Sequence, residues 1–230
     1  MSVIFAVSSF EFPEVCLCFN DKLFRANRTV KVNSIGLSAF NSPNYPPLAT
    51  LGAFIDVNRE LTLPPPRGPF RVYKKLTSTV IVLKLAPGFD DESITAMIRH
   101  STSLKAVVLE MYGTGNGPLN RGSDKGSLLS AIIEAKTKGI VVVAVSQCIQ
   151  GGVSLDTYSM GREFKEAGVI SGGDMTTEAC VTKIAYLFGR YEDPNKVSEL
   201  LAKSIRGELT TDDKKKSHSF FTKSSSETCL

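Results

Sequence analysis

Apolar positions in this chain fall into two regimes. Before residue 63 they come in short bursts: Val3 to Val7, then Val15-Cys16-Leu17-Cys18-Phe19, then Leu51 to Val57. Asn, Asp, Ser and Pro separate these bursts, which read as brief strands with turns between them. Asn20-Asp21 marks a hairpin leading into Lys22-Leu23-Phe24. Further on, the alternation becomes regular. Val80 to Leu85, Ala106 to Leu109, Ile140 to Val145 and Val169 to Ser171 are strand-like, and the unbroken run at Ile140 predicts a strand covered on both faces. Between them lie helical stripes. One opens at Asp90-Asp91-Glu92 and carries Ile94, Met97 and Ile98; another carries Leu128, Leu129, Ile132 and Ile133 and stops at Gly139. A third segment, between Gly152 and Val169, is also helical. Thr176-Thr177-Glu178 caps a helix bearing Cys180, Ile184, Leu187 and Phe188, and Pro194 to Ile205 predicts a terminal one. Strand, crossover, strand and helix at this spacing imply an α/β fold whose C-terminal part is a four-stranded parallel sheet flanked by helices.

Between the regimes, Leu63-Pro64-Pro65-Pro66-Arg67-Gly68-Pro69 can be neither helix nor central strand, because proline lacks the amide donor and fixes φ. The expected division is therefore residues 1–62, a linker at 63–69, a C-terminal domain at 70–213 and a tail at 214–230 rich in Lys and Ser and expected to lack order. Arg25 to Pro47 reads as a long ordered loop with one short helix near Leu37 to Phe40.

The 230 residues are 42% hydrophobic, enough for a sizeable core. Net charge is only +4, with a lysine cluster at Lys214-Lys215-Lys216, so the body carries no nucleic-acid signature. No stretch has the length and apolarity of a membrane span, and no charged region precedes the first apolar run, so a cytoplasmic location is expected. Five cysteines form no dense framework, and Cys16 and Cys18 should share one face of a strand. Buried reduced thiols are expected, core packing being the commoner role for Cys148. With only His100 and His218, no metal site or cofactor is expected. Gly113-Thr114-Gly115-Asn116-Gly117 lies where a parallel strand ends, but its frame is too short for a dinucleotide fingerprint.

The segment SQC followed by GGVSLDTYSMGREFKEAGVISGGDMTTEACVTKIAYLFGR resembles the C-terminal domain of cytoplasmic, bacterial type I-like L-asparaginases and the related animal asparaginase/lysophospholipase proteins. Likeness continues through EMYGTGNGP, NRTVKVNSIGLSAFNSPNYPPL and SIRGELTTDD, covering about Pro13 to Asp213. The resemblance implies a flavodoxin-like C-terminal domain preceded by the last strands of an asparaginase N-terminal domain at residues 1–62. It also implies an amidohydrolase converting L-asparagine and water to L-aspartate and ammonia.

By the same resemblance, Lys31 in TVKVNS matches the lysine of a Thr-Lys-Asp triad, which takes the proton of a threonine nucleophile. Asn116 matches a residue that reaches a neighbouring subunit's substrate pocket, implying a homo-oligomer or an N-terminal asparaginase domain as partner. Ser146 and Cys148 match positions of an allosteric asparagine site, where Glu110 replaces an arginine of the family pattern and reverses the charge beside a carboxylate ligand. GGTI-like and GTDT-like threonine motifs occur nowhere in the 230 residues. The expectation is a truncated chain inactive by itself. Alternatives are a non-catalytic regulatory or dimerisation module and a lysophospholipase-related hydrolase.

Overall fold

A computed structural model describes residues 10–69, 71–77, 79–88, 90–118 and 127–211. The expected strand at Val3 to Val7 and the tail beyond Asp213 lie outside them. The first unit is an antiparallel sheet in the order β1-β2-β5-β6, formed by β1 (Cys16–Phe19), β2 (Lys22–Arg25), β5 (Ala49–Leu51) and β6 (Ile55–Val57). The β1–β2 hairpin turns at Asn20 and Asp21, with φ of 48° and 57°. That left-handed backbone is one Asn and Asp tolerate, and it matches the twist of the flanking strands. Leu23, Tyr45, Leu48, Ala49 and Leu61 form its core, against which Cys16 and Cys18 both pack, as their two-residue spacing predicts.

Two expectations fail here for identifiable reasons. The Asn33 side chain accepts hydrogen bonds from the amides of Ile35 and Gly36, both at 2.9 Å, holding the chain in a side-chain-closed turn. Instead of a helix at Leu37 to Phe40, the loop runs into β4 (Phe40–Asn41), which pairs with β3 (Val30–Lys31). Leu51 to Val57 is not one strand either. The Gly52 amide donates to the Phe54 carbonyl at 3.0 Å, so the chain reverses and Leu51 pairs with Ile55.

The second unit is the parallel sheet β10-β9-β8-β7, built from β7 (Val80–Lys84), β8 (Ala106–Met111), β9 (Val141–Ser146) and β10 (Ile170–Ser171). Alternate residues divide between two cores. Val107, Leu109, Met111, Val142 and Ala144 face Ile98, Leu128, Ile132 and Phe164 of helices α1 (Asp91–His100), α2 (Leu128–Thr137) and α3 (Ser159–Ala167). On the opposite face, Ala106, Val108, Val141, Val143 and Val145 meet Cys180, Ile184, Leu187, Val197 and Leu201 of α4 (Thr177–Arg190) and α5 (Pro194–Leu201). Both faces being covered, β9 needs no polar alternation. Each fully buried valine contributes about 1.5–3 kcal/mol of transfer free energy.

Caps set the helix starts. Ser127 and Ser130 form a reciprocal capping box, the Thr176 hydroxyl accepts from the Ala179 amide, and Asp193 caps α5 with Pro194 in its first turn. Helix α5 ends at Leu201 rather than Ile205. The buried Lys183 ammonium takes the Leu201 and Lys203 carbonyls, drawing the following segment away from the helical path.

Residues 62–79 contain no described strand or helix. This connection nevertheless docks on α4: the Thr77 amide donates to the Ala185 carbonyl at 3.0 Å, and the Tyr73 and Tyr186 rings meet edge-on. A Cβ at Gly189 would stand 2.0 Å from the Lys75 carbonyl oxygen, so only glycine permits this approach.

Candidate functional site

The two units meet through two arginines three residues apart in Arg25-Ala26-Asn27-Arg28, where Ala26–Arg28 form one 3-10 turn. Arg28 is 1% exposed and donates to both carboxylate oxygens of Asp174, at 3.0 and 2.7 Å, and to the carbonyls of Glu208 and Asn44. Arg25 pairs with buried Glu14 and donates to the carbonyls of Leu61 and Gly207. Asp174 also accepts from the Thr210 amide at 2.9 Å and from its hydroxyl. Burial alone would raise the Asp174 carboxyl, but the Arg28 bonds and charge, with Thr210, outweigh it and hold the group below its ordinary value. Asn44 completes the join: its carboxamide donates to the Gly151 and Asp174 carbonyls and accepts from the Gly151 amide at 2.8 Å.

Above this join lies a cleft of about 190 Å³ at the carboxyl ends of β7, β8 and β9, where open α/β sheets characteristically bind ligands. Its lining brings together Lys31, Asn44, Lys84, Glu110, Ser146 and Cys148. Lys31 is exposed on β3, with its ammonium 5.8 Å from the Phe40 ring centroid, a cation–π contact. Glu110 accepts from the Thr177 hydroxyl at 2.7 Å, and the Gln147 side chain bridges the carbonyls of Leu85 and Glu110. The cleft thus carries two lysines and two carboxylates, Glu110 and Glu178, at its rim.

The Ser146 hydroxyl is spent on the backbone. It donates to the Gly113 carbonyl at 2.6 Å and accepts from the Cys148 amide at 3.0 Å, tying the following loop to β9. Cys148 is exposed, which corrects the expectation of a core-packed thiol; among the described cysteines, Cys180 is the fully buried one. Asn116 stands apart: it is not among the residues lining the cleft with Lys31. Its backbone pairs with Tyr112 in both directions at 2.9 Å, closing the tight loop through Gly113 and Gly115, whose φ values are 51° and 117°.

Sequence reasoning missed Arg28, Asp174 and Asn44. No three or more His, Cys, Asp or Glu residues cluster as a metal site among the described residues. No helix among them is long and apolar enough to cross a membrane.

A doubly covered parallel sheet with polar groups gathered at its carboxyl end, joined to an antiparallel unit, defines an α/β chain of asparaginase architecture. The chain belongs to the glutaminase/asparaginase family. Residues 79–201 match the model described as the glutaminase/asparaginase C-terminal domain, and residues 1–63 match asparaginase, N-terminal. It is 36% identical to L-asparaginase 1 of Escherichia coli K12 over 216 residues, covering 93% of this chain and 61% of that protein. To the human 60 kDa lysophospholipase it is 39% identical over 212 residues, covering 91% of this chain and 36% of that protein. Among solved structures, L-asparaginase I of Vibrio cholerae superposes with a TM-score of 0.80 at 34% identity, over 88% of this chain and 59% of that one. The thermostable Thermococcus kodakarensis L-asparaginase gives 0.74 at 33% identity, over 91% and 61%. The chain therefore spans less than two thirds of the length of these relatives.

Proposed function

We propose that this chain forms one wall of an L-asparagine amidohydrolase site and has no turnover by itself. The observation that supports this reading is that Lys31, on β3, shares one cleft with the carboxyl ends of three parallel strands. In the proposed reaction the Lys31 amine takes the hydroxyl proton of a threonine that these residues do not supply in a GGTI-like or GTDT-like motif. The threonine oxygen attacks the side-chain amide carbon, the C–N bond breaks as the proton taken from the hydroxyl is passed to the leaving nitrogen, ammonia departs, and water then hydrolyses the acyl ester to L-aspartate and restores the threonine hydroxyl.

Asn116 is proposed to contact substrate held by another subunit or an N-terminal asparaginase domain, consistent with its place outside the cleft. Ser146 and Cys148 are proposed as a regulatory patch. The Ser146 hydrogen bond to the Gly113 carbonyl ties that patch directly to the Asn116 loop. The family's charge pattern for an allosteric carboxylate is reversed at Glu110, whose carboxylate is already engaged by Thr177.

Ammonia release from L-asparagine tests the reading. The expected result is none above background for the 230-residue chain, with activity appearing when a polypeptide carrying the threonine motifs is titrated in. Lys31→Ala should then abolish it, and Asn116→Ala should lower it. Robust release by the chain alone sinks the proposal. Mixing without any activity favours the second reading, a non-catalytic dimerisation module. A lysophospholipid-hydrolysis assay separates the lipase alternative.

A further inference from the structure

Tyr186, on α4, receives hydrogen bonds from two guanidinium groups. Arg190 Nη1 donates to its hydroxyl at 2.6 Å and Arg206 Nη2 at 3.2 Å. Both arginines also lie over its ring, and Arg190 stacks on Tyr73 at 4.1 Å. Neither forms an ion pair with a carboxylate among the described residues, whereas the neighbouring cations do: Lys183 is paired with Glu208, and Lys196 and Lys203 share Glu199. Two cations therefore converge on one neutral oxygen. The negative end of α4, near Arg190, offsets only about half a charge. The aromatic stacking holds both guanidinium planes in place without consuming their outward N–H donors, and both residues are exposed.

Beside Tyr186 and Arg206 opens a pocket of about 300 Å³ that Arg190 does not line; its wall also carries Ala179, Thr182, Ile205 and the Lys183–Glu208 ion pair, in which the Glu208 charge is already neutralised. From this arrangement we infer that the Arg190–Tyr186–Arg206 cluster is a binding site for a phosphate monoester group. A carboxylate offers two oxygens in one plane, enough for a single fork. Two guanidinium groups, each directing one N–H at the same point, match the three terminal oxygens and near-double charge of a phosphate. The phenol hydroxyl occupies the shared acceptor position when no anion is present. Its acidity agrees: burial acts to raise the Tyr186 hydroxyl, but the bonds and charges of Arg206 and Arg190 prevail and lower it. This site lies outside the cleft that holds Lys31, and its lining shares no residue with it.

The test is calorimetric titration of the full chain with inorganic phosphate and with pyrophosphate at low ionic strength, with chloride at matched ionic strength as control. Saturable binding is expected, weakened ~tenfold or more in the Arg190→Ala/Arg206→Ala double variant through loss of charge-assisted bonds. Tyr186→Phe should bind as tightly or more tightly, since it frees both N–H groups, an outcome that general unfolding would not give. In the parent chain, tyrosinate absorbance should titrate at higher pH when phosphate is bound, and Tyr186→Phe should remove that displacement. Vesicles containing phosphatidic acid form a second arm: binding there alone assigns the phosphate to a lipid headgroup and keeps the site. No saturable binding in either arm, equal binding by the double variant, or full reproduction by chloride would overturn the inference.

Discussion

Asp174 and Glu208 are the carboxylates on which the interior of the molecule depends most visibly. Glu208 is 4% exposed, pairs with Lys183 at 2.7 Å and accepts from the amides of Ile205 and Arg206. For it too, burial acts to raise the carboxyl, and the Lys183 bond and backbone amides bring the net value below the ordinary one. A depressed folded-state value means that the unfolded chain binds protons more readily. The stability contributed is complete above the ordinary values of 3.8 for Asp174 and 4.5 for Glu208, and is lost as pH falls from there through the lower folded values. Urea midpoints should therefore decline below about pH 4.5, and Asp174→Asn should be less stable at neutral pH with a flatter acid dependence. An unchanged slope in that variant would show that Asp174 is not the titrating group. Arg28 makes the penalty one-sided: removing one partner of a buried ion pair typically costs about 3–5 kcal/mol, more than the intact pair contributes relative to apolar packing.

At the level of elements, the link between the two units is a docked strap, and its weak point is one atom wide. Gly189→Ala would push a methyl against the Lys75 carbonyl, and such overpacking costs about 1–3 kcal/mol. The expected result is a lowered melting temperature with faster amide exchange at Thr77 but little change at Val143. Equal protection at Thr77 would mean that the strap is not held there. Most elements were readable beforehand because their cause is local: a cap at Thr176, a proline opening a helix at Pro194, a turn at Asn20-Asp21, β-branched runs at Val80 and Ile140. Elements decided by a distant or side-chain partner were not. The Asn33-closed turn and the early end of α5 each depend on a side-chain hydrogen bond that periodicity does not encode, while the reversal at Gly52 is a local backbone turn hidden inside an apolar run. In the cleft, Lys31, Ser146 and Cys148 came from family resemblance; the parallel register sets Ser146 at a strand end, whereas Lys31 reaches the cleft from the separate antiparallel pair β3–β4. Asn44 and Arg28 were hidden because their partners lie more than a hundred residues away.

For the molecule as a whole, the buried arginines make the antiparallel unit and the parallel sheet one cooperative body. Unfolding followed by far-UV circular dichroism and by tyrosine fluorescence should give coincident transitions, the hallmark of two-state behaviour. Tyr45 reports on the first unit, where Arg25 lies 4.4 Å from its ring centroid, and Tyr186 on the second. Arg25→Ala should separate the two signals, the Tyr45 region melting first; coincidence in that variant would show that the join does not carry the coupling. The same join has a temporal side. Arg28 and its acceptor Thr210 are 182 residues apart, and chains grow at about 5–20 residues per second. On the ribosome, the arginine turn therefore exists for about 10–40 s before Thr210 is made, a span in which two cations destined for the interior must stay in water.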